Sequence, residues 1–178
     1  MDRTVDDLDL VARFLNTLDE RTFTRHGQEH TAVDDLTSVE ALTSWLRAHD
    51  LATAGAVLHP ADLETALRLR TALRAALLDP DPGPRGGALA GFPVHLAPGP
   101  GSGLRLRADT GVPGLDVLLE TVATAAATGR WARLKLCAAP ECRWAFHDTS
   151  RSGAGRWCSM EICGNRHKTA AYRRRRTA

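Results

Sequence analysis

Cysteine is absent from the first 136 residues of this 178-residue chain, so any thiolate metal site or disulfide framework is confined to the last quarter. Tyrosine occurs once and lysine twice, and aromatic residues make up only 5% of the chain. No apolar run approaches the ~18 residues of a membrane span, so no membrane segment is expected. The start, Met1-Asp2-Arg3-Thr4-Val5-Asp6-Asp7, is acidic and lacks the basic-then-apolar order of a signal peptide, and a cytoplasmic location follows as the expectation. The phosphate-cradling glycine loop and the nucleophile elbow are also missing. His26 and His30 have i, i+4 spacing, but Gly27 stands where a metalloprotease needs glutamate. No residue constellation for catalysis remains, and the chain is read as not an enzyme. Its 43% apolar and 25% charged residues are ordinary globular usage, which excludes a disordered or fibrous chain. The length suits one domain, or one domain with a small appendage.

Acidic residues become scarce after Glu120. Residues 1–130 carry 12 Arg against 18 Asp and Glu, a net −6, whereas residues 131–178 carry 9 Arg and 2 Lys against 3 acids, a net +8. The ratio of 21 Arg to 2 Lys reflects codon bias, but such bias spreads arginine evenly and does not create a sign asymmetry. The boundary is therefore placed near residue 130, giving a front domain, 1–130, and a basic module, 131–178.

In the front domain, Leu10, Phe14, Leu15 and Leu18 recur at helical spacing within Asp9–Arg21, which predicts an amphipathic helix. A second helix is expected to begin near Thr37-Ser38-Val39-Glu40, with Thr37 as cap and Glu40 three residues on, burying Leu42, Trp45 and Leu46. A third starts at Pro60 and runs through Leu63, Leu67, Leu73 and Leu77 until the prolines after Asp79 stop it. Phe92–Leu96 and Leu104–Arg107 alternate around a Gly/Pro-rich turn and predict a small β-hairpin, with Pro93 restricting its strand to an edge. Leu115–Thr128 resumes helical character. The fold class is mainly α: a helical N-terminal domain with a small hairpin, plus a C-terminal four-cysteine module ending in a helix.

The cysteines stand as Cys137-x4-Cys142, fifteen intervening residues, then Cys158-x4-Cys163. Two short chelating loops of equal spacing can each supply one edge of a tetrahedron, which points to one structural Zn2+ held by Cys137, Cys142, Cys158 and Cys163. Disulfides are rare in a reducing compartment, and nothing here resembles a Cys-x-x-Cys redox pair. Four thiolates leave no open position for water, so the metal is not a Lewis-acid catalyst. A 48-residue module is near the size at which a core alone is marginal, and structural zinc supplies roughly 10–16 kcal/mol in small peptides.

Cys163-Gly164-Asn165-Arg166, with Trp157-Cys158-Ser159-Met160 before it and Trp131-x-Arg133-Leu134-Lys135-x-Cys137 further upstream, resembles the CGNR zinc finger. In that family the finger follows a helical domain called ABATE, of stress-induced transcription regulators. Phe14-Leu15-Asn16-Thr17-Leu18-Asp19 is similar to its opening helix, and Leu36–Leu51 to the next. The resemblance covers nearly the whole length and implies zinc and DNA binding.

Residues 159–176 read as a helix with Ser159 as N-cap and Gly164 as the weak point. It places Arg166 and Arg173 on one face and Lys168, Tyr172 and Arg175 on the neighbouring one. Four thiolates and one dication leave the module at about +6, a polyanion-binding charge. The candidate nucleic-acid contacts are Arg156, Arg166, Lys168, Arg173, Arg174, Arg175 and Arg176. The run 173–176 points in four directions and suits phosphates better than base edges. Asn165 beside a zinc ligand either reads adenine or bonds the knuckle backbone, with the second favoured. Trp131, Trp144, Phe146, Trp157 and Tyr172 could stack single-stranded bases, but a small zinc fold needs most of them as core. Asn16 and Thr17, polar on an apolar helix, either line a pocket for a small-molecule effector or make a buried hydrogen bond. The resulting expectation is a bacterial-type, zinc-dependent DNA-binding regulator, paired as a homodimer through its front domain. Its alternatives are an RNA or single-strand binder and a zinc-scaffolded protein-interaction adaptor.

Overall fold

The computed structural model describes residues 7–25, 28–52, 55–79, 87–101 and 103–177. His26 and Gly27, and the proline-rich stretch after Asp79 up to residue 86, lie outside the described residues.

Among the described residues four of the five α-helices pack around one apolar core, the last helix follows a smaller cluster around the cysteines, and the β-structure is limited to two-stranded antiparallel ladders. Helix α1 (Asp7–Leu15) buries Leu8, Val11, Phe14 and Leu15 completely. It is shorter than its apolar spacing predicts. The Thr17 hydroxyl donates to the Phe14 carbonyl at 2.7 Å and occupies the helix end, while Leu18 leaves the helical path to pair with Asp34. An arm follows, made of two small ladders, β1 (Leu18–Asp19) with β4 (Val33–Asp34) and β2 (Thr24–Arg25) with β3 (Gln28–Glu29). These strands are two residues long and have no alternation to read, so the sequence gives no signal for them.

Helix α2 (Val39–Ala48) is capped by Ser38, one residue after the expected Thr37, with the Ser38 Oγ accepting from Ala41 N–H at 3.2 Å. Helix α3 (Pro60–Leu78) starts at the expected proline, and the Asp62 carboxylate accepts from His59 N–H at 2.7 Å. The hairpin of β5 (Val94–Pro98) and β6 (Leu104–Ala108) has Leu96 opposite Leu106 and lies against α4 (Pro113–Ala127). Gly114, in the first turn of α4, is where a Cβ would lie 2.7 Å from the Leu51 carbonyl and 2.8 Å from Leu46, so only glycine lets α4 sit against the end of α2.

After Gly129 a 3-10 turn (Arg130–Arg133) leads into the hairpin of β7 (Leu134–Leu136) and β8 (Ala145–His147), with Lys135 opposite Phe146. Leu134 and Ala145 belong to the same buried cluster as α1, α3 and α4. The chain ends in a π turn (Met160–Gly164) and α5 (Asn165–Thr177) in place of one uninterrupted helix from Ser159. Ser159 is the cap expected, its Oγ accepting from Ile162 N–H at 3.3 Å. The fold is mainly helical with small hairpins and a cysteine cluster beside the last helix, as the sequence predicts. No helix among the described residues is long and apolar enough to cross a membrane.

Candidate metal centre and nucleic-acid surface

Cys137 follows directly on β7 and Cys142 lies three residues before β8, so the hairpin fixes the first pair. The Cys137 N–H donates to the Trp144 carbonyl at 2.9 Å, and Cys142 and Arg143 N–H groups both donate to the Ala139 carbonyl, at 2.9 and 3.1 Å. The turn is tight enough to require a positive φ of 49° at Arg143. The second pair comes from the loop and π turn before α5, and Ala138 N–H donating to the Arg156 carbonyl at 2.8 Å ties the two pairs together.

All four sulfurs lie within 4.8 Å of one another. Cys142 and Cys158 sulfurs are 3.7 Å apart, and those of Cys158 and Cys163 are 3.8 Å apart. A tetrahedron with Zn–S bonds of ~2.3 Å has an edge of about 3.8 Å, whereas a disulfide would bring sulfurs to ~2.05 Å. The four cysteines are free thiols in a cluster suited to a single structural Zn2+. Cys137, Cys142 and Cys163 are buried and Cys158 is half-buried.

The cluster's electrostatics favour a cation. Hydrogen bonds from Cys142 and Cys158 hold the Cys137 thiol well below its usual range. That same pairing with Cys137 pushes Cys142 and Cys158 up, and burial pushes Cys163 up to about 12. Metal coordination requires the thiolate form, so loading the cluster releases protons.

A second polar knot braces the finger. Asp148, buried, accepts from Lys135 Nζ at 2.7 Å, Gly155 N–H at 2.7 Å and Ser150 N–H at 3.1 Å. A Cβ on Gly155 would stand 2.9 Å from that carboxylate, which explains a glycine in this loop. The hydrogen bond from Lys135, reinforced by Ser150, holds the Asp148 carboxyl well below the usual carboxylate range.

Glu141, between the first two cysteines, is a hub. Its carbonyl accepts from Thr22 N–H of the arm at 3.1 Å, and its carboxylate takes Arg166 Nη2 at 3.0 Å, with His167 Nε2 at 3.8 Å. The Arg166 guanidinium also lies 4.1 Å above the Phe23 ring, and Phe23 is buried among Cys137, Cys142 and Cys163. His167 stacks on Trp157 with ring centroids 4.3 Å apart.

The predicted nucleic-acid residues separate accordingly. Arg166, half-buried, is engaged by Glu141 and Phe23. Arg156 is exposed, 5.4 Å from the Trp157 ring. Lys168, Arg173, Arg175 and Arg176 are exposed on α5, and the side chain of Arg174 lies outside the described residues. Asn165 is also exposed, its side-chain amide donating to the Glu161 carbonyl at 3.4 Å. Asn16 and Thr17 are both spent on interior bonds. The Asn16 amide donates to the Ala145 carbonyl at 2.9 Å and accepts from Ala145 N–H at 2.8 Å, and Thr17 Oγ1 accepts from Arg70 at 2.9 Å.

Two buried arginines of α3 escaped the sequence reading. Arg70 pairs bidentately with Asp34 at 2.7 and 2.6 Å, and Arg74 pairs with Glu20 and donates to the carbonyls of Leu15 at 3.0 Å and Arg143 at 3.1 Å. Arg74 thereby joins α1, the arm and the first zinc knuckle. The available signal was two arginines four apart, on the same side of α3 as Leu73 and Leu77.

Two family models match this sequence. One, described as a CGNR zinc finger, covers residues 133–176; the other, ABATE, described as "Putative stress-induced transcription regulator", covers residues 8–134. No curated protein matches the chain at a significant level.

Proposed function

We propose, for a chain that belongs to the ABATE family of transcription regulators and ends in a CGNR zinc finger, that regulation works through duplex DNA held by α5 and its flanking cations. Both matched families are regulatory or zinc-finger modules, and a closed set of four thiolates offers no open metal position, so the protein is a zinc-dependent regulator and not an enzyme. The observation that carries the DNA reading is the position of α5. It starts two residues after the ligand Cys163 and presents Lys168, Arg173, Arg175 and Arg176 to solvent beside exposed Arg156.

The aromatic residues argue against single strands. Trp144 lies under the Arg21 guanidinium at 4.2 Å, and Trp157 carries His167 and Arg156, so these two rings are already engaged within the protein. The front domain supplies sensing and pairing. A groove of about 470 Å³ between the end of α3 and the finger, lined by Leu77, Trp131, Leu136, Ala138 and Arg156, offers an effector a place from which to act on the finger. One helix covers a short site, and two copies joined through front domains 1–130 extend it.

Fluorescence anisotropy of zinc-loaded full-length protein on a labelled random duplex tests this reading. About five phosphate contacts give a log–log salt slope near −4.5, with two chains per duplex. Affinity indifferent to salt, or single strands competing as well as duplex, would refute it.

A further inference from the structure

Resting on the duplex-DNA reading above, we infer that α5 reads base edges through Asn165, Lys168 and Tyr172, and that Arg166 of the family motif is a positioning residue that sets the rotation of that helix. Arg166 and His167 both turn toward Glu141, and Arg166 adds Phe23. At ~100° per residue, the direction opposite these two carries residues 165, 168, 172 and 176 within an arc of about 80°. Asn165, Lys168 and Arg176 are exposed, and Tyr172 is 55% exposed although it is the chain's only tyrosine.

The chemistry of this stripe fits a major groove. A carboxamide offers the donor and acceptor that adenine N6 and N7 require, and the Asn165 bond to the Glu161 carbonyl, at 3.4 Å, is long enough to exchange at little cost. Lysine meets guanine O6 and N7, and an aromatic ring meets a thymine methyl. Asn165 is two residues from Cys163, so the metal cluster fixes it more firmly than any other residue of the stripe. Arg175 and Arg176, a further turn away, suit phosphates, as does Arg156 beside Trp157 on the His167 side of the helix.

Arg166 serving as a reader would give up both its ion pair with Glu141 and its seat on Phe23. Its ion pair at 3.0 Å and its seat on Phe23 fix which side of α5 faces outward. It acts on DNA through Asn165 and Lys168.

The test is selection from a pool of random duplexes with zinc-loaded full-length protein, followed by affinity measurements on the selected duplex. Asn165 is exposed, so Asn165→Ala keeps zinc content and helicity. It is expected to relax preference at one A·T pair by about 5- to 150-fold with the salt slope unchanged. Arg166→Glu is expected to lower affinity without altering the selected sequence, and Glu141→Arg in the same chain to restore at least half of the lost affinity. Glu141→Arg alone is expected to lower affinity despite its added positive charge, which separates a rebuilt latch from a mere recovery of net charge. An unchanged sequence preference in Asn165→Ala, or no recovery in the reversed pair, overturns the inference. Wild-type protein that binds duplex but selects no sequence also overturns it while DNA binding stands. Wild-type protein that holds no duplex removes the reading on which it rests.

Discussion

Asp148 shows how much of the finger hangs on single side chains. Its carboxylate is buried beneath the loop 148–156 and satisfied by Lys135 and two backbone N–H groups, so the Asn variant would put an amide's N–H₂ against donors. Asp148→Asn is expected to cost about 2 kcal/mol in urea unfolding of the zinc-loaded protein at neutral pH. Its acid group is depressed in the folded state, chiefly by the Lys135 hydrogen bond, so the stabilisation is complete above the unfolded value of ~3.9 and disappears only as pH falls toward the lower folded value. The gap between wild type and variant should therefore stay constant from pH 8 to pH 5. A gap that narrows across that range would show that the carboxylate is not held by this network.

Among the elements, α5 is the least supported by packing. Its contacts are concentrated on the π turn, and it is fastened by Cys163 below and by Arg166 and His167 at Glu141. A 13-residue helix with four arginines in a row is marginal alone. Chelating the metal is thus expected to melt α5 while α1 to α4 persist, a loss of about a fifth of the far-ultraviolet helical signal, since α5 holds 13 of 66 helical residues. Hydrogen exchange should report rapid exchange in residues 165–177 and unchanged protection of Leu69 and Leu118. Slow exchange in metal-free α5 would contradict it. The same contrast explains what was legible beforehand. Helices α1 to α4 and the β5–β6 hairpin announce themselves through apolar spacing, proline and glycine punctuation, and the four ligands through their repeated x4 spacing. The arm and the β7–β8 hairpin do not, because two- and three-residue strands carry no period and are held by tertiary partners such as Phe23 and Leu134. The inward turn of Arg166 was hidden for another reason: helical spacing gives relative directions on α5, but only the position of Glu141 says which direction is inside.

At the scale of the whole molecule, the change of charge near residue 130 suggests two bodies, yet the interior runs straight across it. Leu134 and Ala145 are 1% and 2% exposed within the front domain's core, Asn16 makes two hydrogen bonds to Ala145, and Arg74 reaches the carbonyl of Arg143 beside a zinc ligand. Phe23 of the arm fills the space among the cysteines, and Asp9 Oδ1 of α1 lies 3.4 Å from His147 Nδ1 of β8. Composition records where charge is placed, whereas cooperativity follows where apolar surface is shared. A fragment of residues 131–178 would expose Leu134 and Ala145 and lose every one of these contacts. It is expected to fold around zinc with at least about tenfold weaker affinity than the full chain, ~1.4 kcal/mol, measured by competition with a calibrated chelator. Equal zinc affinity in the two would mean that the front domain lends the finger no stability. It would also mean that a signal received in residues 1–130 has no mechanical route to α5, because only a finger that borrows its core from the front domain can feel that core rearrange.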